Sequence, residues 1–111
     1  MKGARSIFPL FIIVLSLAFA CSDEETPNPP GTQYNPEVLT VLQDNCLQCH
    51  SAPSPIGGVI LDNYTDARNA TEFGNLLSRI NSSSNPMPPG GMMDLDSRNV
   101  FKDWGREGYQ E

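Results

Sequence analysis

The residues best suited to chemistry in this 111-residue chain stand together as Cys46-Leu47-Gln48-Cys49-His50. Two cysteines three positions apart, followed directly by a histidine, are typical of covalent c-type haem attachment. On a helix, positions i, i+3 and i+4 share one face, so both thiols and the imidazole can point at one flat ligand. We therefore predict one haem c per chain, bound covalently by Cys46 and Cys49, with His50 as the proximal iron ligand.

Three other uses of this cysteine pair must be compared with haem attachment. A thioredoxin-like site follows a strand and lies at a helix N-terminus, whereas the residues before Cys46 have a helical pattern. A structural zinc site needs four protein ligands, and His50 is the single histidine of the chain. A disulfide between Cys46 and Cys49 would close a very short loop. Haem attachment is the interpretation that the motif favours most.

A second stretch, Asn81 to Met93, contains the candidate for the other axial ligand. Its three prolines and two glycines exclude a regular helix or strand. Met87 stands between two prolines, which restrict the backbone on both sides and can hold a weak thioether ligand in place. We predict Met87 as the distal iron ligand. Met92 and Met93 follow the permissive pair Gly90-Gly91 and are expected to fill gaps instead.

Helical patterns surround both stretches, and these helices must position them. A first helix is predicted from about Pro36 to Cys46, so that it delivers the cysteines at its C-terminal end. Two short helices are predicted at about 63–69 and 72–80, and a last one at about 97–107 with Asp96 as its cap. Because strand patterns are scarce, the predicted fold class is all-α, with about four short helices.

The residues expected in the core are apolar and recur at helical spacing, or follow the haem motif as a short run. They are Val38, Leu39, Val41 and Leu42; Val59, Ile60, Leu61 and Tyr64; Phe73, Leu76, Leu77 and Ile80; and Val100, Phe101 and Trp104. Gly105, inside the last helix, costs about 1 kcal/mol relative to Ala. We take it as a sign of a close helix crossing.

The N-terminus has the pattern of an export signal. Lys2 and Arg5 precede an apolar run, Ile7 to Phe19, which leads into Cys21. The run is shorter than the roughly 20 residues of a membrane span. We predict that residues 1–20 are a lipoprotein signal peptide and that Cys21 carries lipid at the new N-terminus. An ordinary signal peptide and an uncleaved anchor are the alternatives.

Residues 21–33 are acidic and rich in proline, which predicts a flexible tether before a domain at 34–111. Without Lys2 and Arg5 the chain keeps five basic residues against 13 acidic ones, a net charge of −8. Such a surface disfavours nucleic acid as a partner. It favours redox partner proteins that are basic or membrane-bound. The predicted location is periplasmic or on the cell surface, anchored to a bacterial membrane.

Taken together, these features resemble the small class I cytochrome c family. The resemblance covers Tyr34 to Gly108 and consists of the leading helix with its haem motif, a middle helical section, the Met87-Pro88-Pro89 loop and a last helix carrying Trp104. Two features depart from the family pattern: the interval between histidine and methionine is short, and Gly105 replaces an apolar residue.

The resemblance implies that the helices wrap around one covalently bound haem, with the first and last helices crossing beside it. Val38 and Leu42 would then meet Val100 and Trp104.

Electron transfer is the function that the resemblance implies. An iron with histidine and methionine ligands has no open position for a substrate, and this ligation raises the haem potential. We therefore expect neither enzymatic activity nor a small-molecule substrate. The alternative is a module that binds or senses a small gas at a displaceable Met87, although no distal histidine or arginine is evident in the sequence.

Overall fold

The computed structural model describes residues 31–111, together with Gly3. The predicted signal peptide at 1–20, the lipidated Cys21 and most of the tether at 21–33 therefore lie outside the described residues, and those predictions stay as they were.

The described residues form helices joined by loops, and no β-strand occurs among them. A wide helical turn at Tyr34–Val38 leads into α1 (Leu39–Asn45), and the later helices are α2 (Tyr64–Glu72), α3 (Leu76–Ile80) and α4 (Leu95–Arg106). A 3-10 turn at Ile56–Gly58 lies in the loop between α1 and α2. The predicted all-α class, with four short α-helices, is confirmed for this part of the chain.

The first helical segment begins two residues before its predicted start. Asn35 keeps extended backbone angles, with φ −117° and ψ 120°, inside the turn that opens the segment. The hydroxyl of Thr40 donates to the Pro36 carbonyl at 2.8 Å and closes the next turn. Val38 and Leu42 are both completely buried, so the apolar stripe of this segment faces the core as predicted.

The cap of α4 is Asp94, so the prediction of Asp96 is wrong. The Asp94 carboxylate accepts from the Ser97 amide at 2.8 Å and from the Ser97 hydroxyl at 2.7 Å. These hydrogen bonds lower the pKa of Asp94, because they stabilise the charged carboxylate. Asp96 instead lies in the first turn, where an acidic side chain complements the helix dipole.

The second middle helix is shorter than predicted, and Phe73 is outside it. Phe73 is 78% exposed and follows the last residue of α2. Gly74 passes so close to the Ala70 carbonyl that a Cβ would lie 2.7 Å from that oxygen. The chain turns at this point, α3 begins only at Leu76, and Phe73 no longer shares a helix face with Leu76 and Ile80. Its prediction as a core residue is wrong.

The core brings together residues from every helix. Its completely buried members on α4 are Phe101 and Trp104, which share one buried cluster with Val38 and Leu42 of the first segment, and Val100 packs against this cluster. Leu61 is buried as predicted, but Val59 is 43% exposed, which corrects its assignment to the core. Val59 instead lies in the loop that precedes α2.

Gln110, which follows α4, links the first helical segment to α4 by hydrogen bonds. The Gln110 carbonyl accepts from the indole of Trp104 at 2.7 Å and from the amide of Tyr34 at 2.8 Å. The rings of Tyr34 and Tyr64 lie about 6 Å from the Trp104 ring, and the Tyr109 ring lies 5.0 Å from it. Trp104 is therefore the centre of an aromatic cluster that joins four segments.

Gly105 lies against Tyr109, so the predicted close helix crossing at this glycine is wrong. A Cβ there would lie 3.1 Å from the Tyr109 hydroxyl. The missing side chain makes room for an aromatic ring that follows α4 in the same chain. None of the helices in the described part is long and apolar enough to cross a membrane.

Trp104→Ala is expected to destabilise the domain by about 3–5 kcal/mol, because it leaves a large cavity in the core and removes the indole hydrogen bond. Denaturant unfolding measures the loss. The control is Leu95→Ala on the same helix, a residue that is 59% exposed, whose effect should stay within roughly 0.5 kcal/mol. Equal effects of the two changes would contradict the packing described here.

Candidate functional site

The four residues predicted to bind haem converge on one cavity. Cys46, Cys49, His50 and Met87 all line a space of about 440 Å³. This volume lies within the range of roughly 300–1,000 Å³ that is usual for ligand and cofactor pockets. The histidine and the methionine are far apart in the sequence, so the fold itself brings them together.

The walls of the cavity are mainly apolar. They come from the loop after the haem motif, from α2 and α3, from the methionine loop and from α4. The apolar residues are Ile56, Val59, Leu61, Ala70, Leu76, Ile80, Pro88, Pro89 and Phe101. The polar ones besides His50 are Asn45, Gln48, Asn75 and Arg79. Such a lining suits a large apolar cofactor with a few charged or polar groups.

The haem motif lies in a tight turn that directly follows α1. Cys46 ends the helix, and its carbonyl accepts from the Cys49 amide at 3.1 Å and from the His50 amide at 2.9 Å. These bonds keep the spacing of one helical turn beyond the end of α1. Both cysteines and His50 can therefore reach the same cavity, as the sequence predicts.

The two cysteines are separate thiols in this structure, with no disulfide between them. Burial raises the pKa of the Cys46 thiol to about 11, since a low-dielectric environment disfavours the thiolate. Thiol–disulfide enzymes instead lower the pKa of the attacking cysteine. The environment of Cys46 therefore argues against a thioredoxin-like role.

His50 is held in one orientation by a backbone carbonyl. Its Nδ1 lies 3.1 Å from the Val59 carbonyl oxygen. Because a carbonyl can only accept, Nδ1 carries the proton, and Nε2 keeps the lone pair that a metal needs. The loop is closed beside this contact, since the Leu61 amide donates to the His50 carbonyl at 2.8 Å. The sequence could not have identified Val59 for this role, because any residue supplies a carbonyl.

Met87 is positioned through its backbone. Its amide donates to the Arg79 carbonyl at 3.0 Å, and Arg79 belongs to the last turn of α3. Met87 is half-buried and lines the cavity together with the two prolines that follow it.

The two competing methionines have other positions. Met92 is 48% exposed and Met93 is buried in the core. Neither belongs to the lining of the cavity as the described residues form it. The arrangement favours Met87 among the three.

The described residues 31–111 provide no cluster of ligating side chains that could hold a metal ion without a cofactor. No three histidine, cysteine, aspartate or glutamate side chains come together there as a metal-binding group, and a structural zinc site needs four ligands. A haem iron needs only two axial ligands from the protein, and a histidine with a methionine is one of the usual pairs.

Comparisons with models of known protein families, with curated proteins and with solved structures found no match for this chain.

Proposed function

We propose that this chain is an electron-transfer protein that carries one covalently bound haem c, with His50 and Met87 as axial ligands. The observation that supports it best is the convergence of Cys46, Cys49, His50 and Met87 on a single apolar cavity. The all-α fold is compatible with the small class I cytochromes c that the sequence resembles. In this proposal the helices wrap around the haem, which fills the cavity.

Each group of residues has a distinct role in the proposed function. When bound, the haem supplies a one-electron ferric–ferrous couple. Cys46 and Cys49 would hold the cofactor covalently through their sulfur atoms. The hydrogen bond from His50 to the Val59 carbonyl would fix the orientation and the tautomer of the imidazole. The apolar walls would exclude water from the cofactor, which would reduce the solvent reorganisation that accompanies a change of charge.

The strength of the proposed bond between Met87 and the haem iron distinguishes an electron-transfer protein from a gas-binding module. A redox titration followed by visible absorption should show one reversible one-electron transition. Addition of carbon monoxide at low concentration should leave the spectrum of the reduced protein unchanged, because Met87 would already be bound to the iron. A large spectral shift would favour the small-gas module instead. Failure to cycle between two redox states would contradict electron transfer.

Export and lipid anchoring belong to the same proposal. Covalent haem attachment in bacteria takes place outside the cytoplasmic membrane, as the family resemblance implies, and the apolar segment before Cys21 can direct the chain there. A lipid on Cys21 and the tether at 21–33 would keep the domain near membrane-bound redox partners. The strongly acidic composition favours partners with a basic surface.

Cys21→Ala is expected to move the protein from the membrane fraction to the soluble fraction, or to leave an uncleaved precursor, because the acylated thiol is lost. Fractionation followed by immunoblotting measures the shift, and mass spectrometry of the wild type gives its N-terminus. A wild-type mature chain that begins anywhere other than Cys21 would contradict lipidation. Such a result would leave the haem assignment in place.

A further inference from the structure

Arg98 connects the two ends of the loop that carries Met87. This loop, residues 81–93 and here named the Met87 loop, joins α3 to α4. From the first turn of α4, the Arg98 guanidinium donates to the Asn81 side-chain oxygen at 2.8 Å and to the Met93 carbonyl at 3.1 Å. Asn81 is the first residue of the loop and Met93 the last, so one side chain spans the loop.

Both partners of Arg98 are themselves anchored. The Asn81 amide group donates to the Leu77 carbonyl at 2.8 Å, which ties it to α3. Met93 is only 8% exposed and packs in the core. Arg98 therefore links two fixed points, and the loop between them is closed at its base.

Arginine suits this position because its planar guanidinium offers several donors in a fixed geometry. A lysine in the same place has a single ammonium group on a flexible stem. Closing a loop at its base reduces the conformations available to the residues inside it. Within the loop, the Met87 amide has one further attachment, its hydrogen bond to the Arg79 carbonyl.

We propose that Arg98 is a positioning residue for Met87, and that it determines how readily an outside ligand displaces the methionine. The inference rests on the proposed function, in which Met87 is an axial ligand. Arg98 does not line the cavity, so its effect on the ligand acts through the loop. Opening the base of the loop raises the fraction of molecules in which Met87 is away from the cavity. The apparent affinity for a competing ligand rises in proportion to that fraction.

Imidazole titration of the ferric holoprotein measures this apparent affinity, and the ratio between two variants gives the change in the fraction. Arg98→Ala should bind imidazole on the order of tenfold more tightly than the wild type, because two charge-assisted hydrogen bonds are lost. Arg98→Lys should also bind imidazole more tightly, because lysine keeps the positive charge but lacks the planar set of donors that the guanidinium offers. Asn81→Ala removes one of the two contacts and should give a smaller increase. These two milder changes keep the comparison valid if Arg98→Ala does not fold.

Lys102→Ala is the matched control. It removes the same charge from the same helix at an exposed position, and should leave the imidazole affinity within about twofold of the wild type. A second readout is hydrogen exchange of the holoprotein. The Met87 amide should exchange faster in Arg98→Ala, while the Ala67 amide of α2, bonded to the carbonyl of the capping residue Asn63, should not. A general loss of stability would accelerate both.

The outcomes separate this inference from the proposed function. If the wild type shows methionine ligation and Arg98→Ala binds imidazole no more tightly, the positioning role is wrong and the proposed function is unaffected. If Lys102→Ala has the same effect as Arg98→Ala, charge explains the change and the positioning role is again wrong. If the wild type lacks methionine ligation altogether, the proposed function fails and this inference fails with it.

Discussion

Met87→Ala should remove the methionine–iron charge-transfer band expected of the ferric protein and should lower its reduction potential. The loss of the band follows directly from the loss of the sulfur ligand. The potential should fall by on the order of tenths of a volt, because axial ligands together tune haem potentials over roughly 0.8 V. Visible spectroscopy and a redox titration of the purified variant measure both changes.

Met92→Ala is the control for this change. Met92 lies in the same loop but is exposed and does not line the cavity, so its variant should keep both the band and the potential. Met93→Ala should also keep the band, although it loses packing in the core. Should Met92→Ala remove the band while Met87→Ala retains it, the ligand assignment would be wrong. The argument that flanking prolines select the ligand would then fail as well.

Replacing Cys46 and Cys49 together by alanine should abolish covalent retention of haem. Both thiols reach the cavity from one tight turn, and no other cysteine occurs in the described residues. The single variants should retain less haem than the wild type, because one thioether remains. The measurement is haem staining of a denaturing gel, in which only covalently bound cofactor travels with the chain.

Gln48→Ala provides the matched control for the cysteine variants. Gln48 lies between the two cysteines and also lines the cavity, yet it has no role in the covalent attachment. Its variant should stain as strongly as the wild type. Full staining of the double cysteine variant would contradict the attachment proposed here.

The helices could be predicted from the sequence because each has a strong local signal. Apolar spacing identified the first segment and α4, and Asn63 caps α2, where its side chain accepts from the Asp66 amide at 3.0 Å. One error occurred where two similar signals compete. Asp94 and Asp96 both lie at the start of α4, and only backbone geometry decides which carboxylate reaches the free amides.

The path of the chain after a helix explains two further errors in the fold. Phe73 and Gly105 both fit a helical pattern, but the chain turns at Gly74, and Gly105 gives room to the Tyr109 ring. Neither feature is visible in the apolar spacing alone. Each depends on how the chain continues after the helix ends.

The side chains of the candidate site could be predicted from the sequence, whereas the backbone groups that hold them in place could not. Cys46, Cys49, His50 and Met87 have distinctive chemistry, and the structure places all of them on one cavity. The carbonyls of Val59 and Arg79, which hold His50 and Met87, could not be predicted, because every residue has a carbonyl. The hydrogen bonds of Arg98 could not be predicted either, because its partners are distant from it in the sequence or belong to the backbone.

The visible absorption spectrum of the purified full-length protein tests the haem proposal most directly. The protein should be produced by a bacterial host that attaches haem to exported proteins, and measured oxidised, reduced and after denaturation. We expect a haem spectrum that changes on reduction, a methionine–iron band in the oxidised state, and haem that stays with the chain after denaturation. A protein recovered without haem from such a host, while a known c-type cytochrome made in parallel is loaded, would contradict the proposal.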